Sequence, residues 1–194
     1  MTLEQLSSED EIRKKVLDIE SIPTGVAPRA EAILVLFGEK PAAEMYLPDK
    51  INAQKVIDIL RNIGLFAEIT REDDESCYIG LSLSPELLEE LINTRSNKDH
   101  RRYGELMGYP STAIDAFLGE NGTERLSPEE QDFLTKDLPD VLVKFVLSKK
   151  HHKDELGHLH RWFKLVAKEA PELIDQLYKK DTAKRFKDYI ATLE

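Results

Sequence analysis

The stretch HRRYGELMGYPSTAIDAF, His100 to Phe117, decides how the second half of the chain folds. Tyr103 and Met107 fall one turn apart on a first short helix, and Gly104 between them lets a second helix approach closely. Gly108 can take the positive φ that ends that helix. Gly108-Tyr109-Pro110 makes the turn, and Pro110 or Ser111 opens the second helix. Ile114 and Phe117 then point back at Tyr103 and Met107, and Gly119-Glu120-Asn121-Gly122 stops the helix. The pattern predicts a helical corner with Met107, Ile114 and Phe117 in one core cluster.

A small residue at 104, glycine at 108 and apolar residues at 103, 107, 109, 114 and 117 are similar to the helix-turn-helix template of repressor-type DNA-binding domains. Leu126-Ser127-Pro128-Glu129-Glu130 likewise resembles the capped helix that follows in small repressors. The resemblance implies a DNA-reading second helix, with Ser111 and Thr112 at its start, Tyr109 in the turn, and Arg101 and Arg102 near phosphates. The side chains oppose it. A recognition helix needs Arg, Lys, Asn or Gln near its N-terminus, and this one offers Ser111, Thr112, Ala113, Asp115 and Ala116. The string Gly104-x-x-x-Gly108-Tyr109-Pro110 also resembles a signature of uncharacterised prokaryotic proteins in which Gly-Tyr-Pro precedes a Cys-containing segment. Here Ser111-Thr112-Ala113 replaces any cysteines, and that resemblance implies no activity.

Charge points the same way. The 194 residues carry a net charge of −10. From residue 141 onward there are 12 Lys and Arg against 8 acids, which leaves 15 against 29 for residues 1–140. An acidic body with a basic C-terminal part disfavours nonspecific nucleic-acid binding and suits helices that sit against acidic surface, their own or a partner's. The acidic start Met1-Thr2-Leu3-Glu4-Gln5 predicts no secretory leader, and no apolar run reaches the roughly 20 residues that span a bilayer. The single cysteine, Cys77, cannot form an intrachain disulfide and falls in an apolar strand, which predicts a buried inert thiol and a cytoplasmic protein.

Upstream of the corner, Ser8-x-x-Glu11 reads as a capping box ahead of Ile12, Val16 and Ile19, an amphipathic helix over 8–20. Residues 1–28 form this helix and a linker broken by Pro23, Gly25 and Pro28. Residues 29–84 read as a ββαββ unit. Its first strand is the apolar run Ala32–Phe37, and its second follows the turn Gly38-Glu39-Lys40-Pro41 as Ala43–Leu47. A helix over 50–63 with Ala53, Val56, Ile57, Leu60 and Ile63 inward comes next, then strands 65–70 and 77–83. The fold class is therefore α+β, a small mainly antiparallel sheet followed by a helical C-terminal half over 85–194, packed with the sheet as one compact domain. Helices are expected near 85–95, 97–107, 110–118, 127–135, 139–149, 151–169 and 172–192, the last broken at Asp181. The segment 141–147 reads equally as a strand. Trp162, Phe163, Tyr178, Phe186 and Tyr189 read as core of the last helices.

Four of five histidines crowd into His151–His160. On a helix His151, Glu155 and His158 share one edge, three ligands that suit zinc, and Glu155-x-x-His158 has the spacing of half a di-iron carboxylate site. No second Glu-x-x-His exists to complete that site, so the stretch reads as a solvated helix start with no metal. Asp99, His100, Arg101, Tyr103 and Tyr109 can line a pocket at the corner's mouth, although neighbours 100° apart on a helix make no dyad of Asp99 and His100. Phosphate-binding glycine loops, dinucleotide turns, nucleophile elbows and His-Glu-x-x-His pairs are all missing. The expected function is protein association or regulation, without catalysis or cofactor, through a protein partner or a second copy; the alternatives are a helix-turn-helix DNA-binding regulator and, behind it, a metal-binding protein or enzyme that uses His151–His160.

Overall fold

The run Ala32–Phe37, expected as the first strand, lies in a helix at the centre of the molecule. In the computed structural model, which describes residues 3–178, that helix is α2 (Val26–Leu36), preceded by α1 (Leu3–Glu20). Arg29 through Val35 are all buried, which explains the misreading: a segment covered on every side is apolar at every position, and periodicity then fails to separate strand from helix. Gly38 (φ +73°) ends α2. The Glu39 N–H reaches back to Leu34 O at 2.9 Å and Gly38 N–H to Val35 O at 3.0 Å, both helix-closing bonds. Helix α1 starts at Leu3, ahead of the expected cap, so Ser8 and Glu11 lie inside it; nothing in Leu3-Glu4-Gln5-Leu6 disfavours helix.

With one strand gone the sheet has three. β1 (Ala42–Leu47), β2 (Phe66–Glu72) and β3 (Cys77–Ser82) pair antiparallel in the order β1-β3-β2. Between β1 and β2, Asp49 caps a short turn by accepting from Ile51 N–H at 2.9 Å, and α3 (Ala53–Asn62) follows. All five expected inward residues of α3 are buried. Met45, Ile79 and Leu81 face the main core. On the opposite face lies α4 (Pro85–Asn97), and Gly80 lets it approach: a Cβ there would meet Leu88 Cδ1 at 3.0 Å and Thr70 Cγ2 at 2.5 Å.

The corner follows as α5 (His100–Leu106) and α6 (Ser111–Leu118), then α7 (Pro128–Thr135), α8 (His152–Glu169) and α9 (Pro171–Tyr178). Ser127 and Glu130 form the expected capping box of α7. Residues 139–149 are neither the expected helix nor a full strand. After a 3-10 turn at Asp140–Leu142 the chain runs as an irregular strap through a bend at Phe145, with Phe145 and Leu147 buried and Lys144 exposed. It is tied by one bridge, Arg125 to Ser148, and by Leu147 N–H to Gln131 Oε1 at 2.9 Å. The strap thus alternates in burial like a strand but pairs with no strand of the sheet. The main core draws on Val16, α2, the sheet, α3, Leu142–Leu147, α8 and α9. Phe186, Tyr189 and the break at Asp181 lie outside the described residues.

Candidate functional site

The helical corner forms where the sequence places it. Asp99 caps α5 by accepting from Arg102 N–H at 3.0 Å. Gly108 has φ +72°, and a Cβ at Gly104 would meet Ile114 Cγ1 at 2.9 Å. The expected Met107-Ile114-Phe117 cluster does not form. Met107 and Ile114 are buried, but Phe117 is 56% exposed and meets only the edge of His100 at 6.2 Å. Helix α6 turns Ala113 and Ala116 inward instead, because Thr112 must reach Glu155 on α8.

The corner rests on two buried carboxylates. Glu44 on β1 accepts from Tyr103 Oη at 2.7 Å, Arg95 Nη1 at 2.6 Å and Thr70 Oγ1 at 2.9 Å. Glu31 on α2 accepts from Lys40 Nζ at 2.6 Å. Lys40, expected in a turn, is 0% exposed, with its ammonium 4.2 Å from the Trp162 ring centre and 5.7 Å from that of Tyr109. Burial pulls the Lys40 ammonium below its ordinary value, and Glu31 pulls it back. Burial raises the Tyr109 hydroxyl, helped by Glu31 and Glu44, and raises Tyr103, helped by Glu44. No sequence signal marks Lys40; it follows the α2 stop and precedes Pro41, which resembles any turn.

The histidine stretch is not a solvated edge. Glu155 is 1% exposed and accepts from Ser148 N–H at 2.7 Å, Ser148 Oγ at 2.8 Å and Thr112 Oγ1 at 2.6 Å. His158 leaves that cluster altogether: its Nε2 lies 3.0 Å from Gly108 O, and its Nδ1 lies 2.7 Å from Arg161 Nη2. Arg161 donates Nε–H to Glu39 at 3.0 Å. Among the described residues no three His, Cys, Asp or Glu side chains gather as a metal needs, and His151 meets the Ser148 hydroxyl through its backbone N–H. Cys77 is a buried free thiol, pushed upward by burial.

A guanidinium can only donate, so His158 accepts at Nδ1, donates from Nε2 and is neutral. Burial and Arg161 accordingly hold its imidazole below the ordinary 6.5, and burial and Lys164 lower His160. The unfolded chain therefore takes up protons first on acidification, so this stability is fully present above pH 6.5 and is lost as pH falls below it. Denaturant unfolding compared at about pH 7.5 and about pH 5.5 should show the loss. His158→Gln should shrink it; a wild-type profile that is flat contradicts the neutral imidazole.

The side chains expected to meet DNA are occupied. Arg101 donates to Asp115, and to Glu120 at 2.6 Å; Arg102 binds both oxygens of Glu90 at 2.7 and 2.9 Å and Glu105 at 2.8 Å. Thr112 is spent on Glu155, and Ser111 is exposed. Asp99 caps α5 and orients no base.

Of the five residues expected at the pocket, His100, Tyr103 and Tyr109 line hollows, whereas Asp99 and Arg101 line neither. A groove of about 440 Å³ runs between α5–α6 and the strap, walled by His100, Gly104, Ile114, Phe117 and Val143–Val146. A cleft of about 500 Å³ lies between the start of α2, β1 and α5, with Glu31, Glu44, Tyr46 and Tyr78 in its walls. Tyr103, Tyr109 and Lys144 border both. No helix of the described residues is long and apolar enough to cross a membrane. The chain matches no family model, and no curated protein or solved structure is similar to it.

Proposed function

We propose that this is a cytoplasmic protein that works by binding in association or regulation, and that the groove beside Phe117 receives an apolar side chain of a protein partner. One observation carries this reading. Around the corner the buried carboxylates and the His158 imidazole are already held by other groups of the chain: Glu31 by Lys40, Glu44 by Tyr103 and Arg95, Glu155 by Ser148 and Thr112, His158 by Gly108 and Arg161. What is left open is mainly apolar and aromatic surface, with Phe117 and the His100 ring against it at the lip. Such surface gains free energy by being covered.

Phe117→Asp tests this with the fold intact, since the ring is exposed and its replacement should move stability by no more than about 0.5 kcal/mol. Affinity capture and sedimentation of the full chain should show an association, with another protein or a second copy, that Phe117→Asp removes. Retention of every associated species by the variant at unchanged midpoint contradicts the assignment of the groove.

A further inference from the structure

The cleft on the far side of Tyr103 and Tyr109 is a separate hollow from the groove and has its own chemistry. We infer that it binds a small planar aromatic molecule bearing one anionic group. This inference rests on the reading that the protein binds and does not catalyse, and it concerns a different wall of the corner.

Size and walls come first. About 500 Å³ suits one small ligand. Tyr46 and Tyr78 stand opposite each other on β1 and β3, ring centres 5.2 Å apart, and Tyr46 is 47% exposed. Behind these walls the Arg95 guanidinium lies 5.0 Å from the Tyr78 ring centre and 6.0 Å from that of Tyr103. Aromatic rings are surfaces on which a flat ring stacks.

The sign of the charge follows from what is already paired. Both carboxylates of the cleft are consumed: Glu44 accepts on both oxygens, and Glu31 holds Lys40. An ammonium ligand would find no free carboxylate and would face Lys144. Lys144 is exposed, borders the cleft and makes no ion pair among the described residues. Lys40 and Arg95 lie behind the wall and offset Glu31 and Glu44, which leaves Lys144 as the uncompensated charge of the lining.

One hydroxyl also lacks a partner in the cleft wall. Thr24 Oγ1 is buried there with no hydrogen bond among the described residues. A buried hydroxyl left unpaired is costly. The polar edge of a bound ring satisfies it.

A ring with one anionic group is shared by nucleoside monophosphates and aromatic carboxylates, and the probes separate them. AMP, UMP and 4-hydroxybenzoate are titrated into the full chain by calorimetry, beside adenosine, inorganic phosphate and acetate. At least one ring-bearing anion should bind, and the same ring without charge and the same anion without a ring should each bind at least about tenfold more weakly. Binding by the nucleotides assigns the phosphate arm, and binding by hydroxybenzoate the carboxylate arm.

Lys144→Gln should weaken the charged ligand about tenfold and leave adenosine unchanged, while Tyr46→Ala should weaken both. Each replaced side chain is exposed, so the unliganded melting temperature should stay put. Phe117→Asp, which lies on the groove, should leave the affinity as it is; loss of partner association with cleft binding intact would separate the two readings. No saturation by any ring-bearing anion, equal binding of inorganic phosphate alone, or affinity undiminished in both cleft variants overturns the inference.

Discussion

Glu31→Leu should destabilise the protein by about 3 kcal/mol or more, because it leaves the Lys40 ammonium in the core without its carboxylate. The pair is 2.6 Å apart with side chains 0% and 4% exposed, so water cannot replace the lost partner. Removing one member of a buried pair costs about 3–5 kcal/mol, and the Trp162 ring 4.2 Å from the ammonium is already in place in the parent protein, so it makes up none of the loss. The double variant Glu31→Leu, Lys40→Met should recover most of the loss, since an apolar pair of similar volume has no charge to desolvate.

The pH dependence has a definite sign. Burial already holds Lys40 below its ordinary 10.5, and the variant loses the carboxylate that raises it. The folded variant then sheds its proton before the unfolded chain does. Its deficit should shrink as pH rises from about 7 to about 9.5. Urea unfolding at the two pH values checks both points, and a deficit below about 1 kcal/mol at neutral pH would falsify the account.

This pair also shows where sequence reading stops. Periodicity places α3 and its five inward residues and the two later strands, because an element half-covered by protein must alternate between apolar and polar. The corner is legible for a related reason: Gly104 and Gly108 are demanded by close approach and by positive φ, constraints local to the chain. Helix α2 defeats the same logic, since complete burial erases the pattern. Phe117 shows the reverse failure. An apolar residue at the expected spacing is exposed because Thr112, five residues earlier on the same helix, is anchored to α8 and sets the rotation of α6. Lys40, Glu44 and Glu155 are buried against partners on other elements of the fold, and no local signal identifies charges that will be buried together.

Glu155→Ala should cost about 3–4 kcal/mol, the second large effect, because three donors lose their acceptor at once. The carboxylate joins three pieces that share no regular hydrogen bonding: Ser148 at the end of the strap, Thr112 on α6, and α8 itself. Thr112→Val removes one of those bonds and should cost about 1 kcal/mol, which scales the single link against the whole knot. Loss of Glu155 frees both the strap and α6, so amide exchange should accelerate at Leu147 and Ser148 and at the start of α6 before the sheet is affected. The same variant separates packing from metal chemistry. Were His151, Glu155 and His158 a zinc site, chelation would lower wild-type stability and the purified protein would carry about one metal per chain. Placing Glu155 among hydroxyl and amide donors predicts instead that EDTA leaves the unfolding midpoint unchanged while Glu155→Ala lowers it. A midpoint that falls with EDTA and is indifferent to Thr112→Val would hand Glu155 back to a metal.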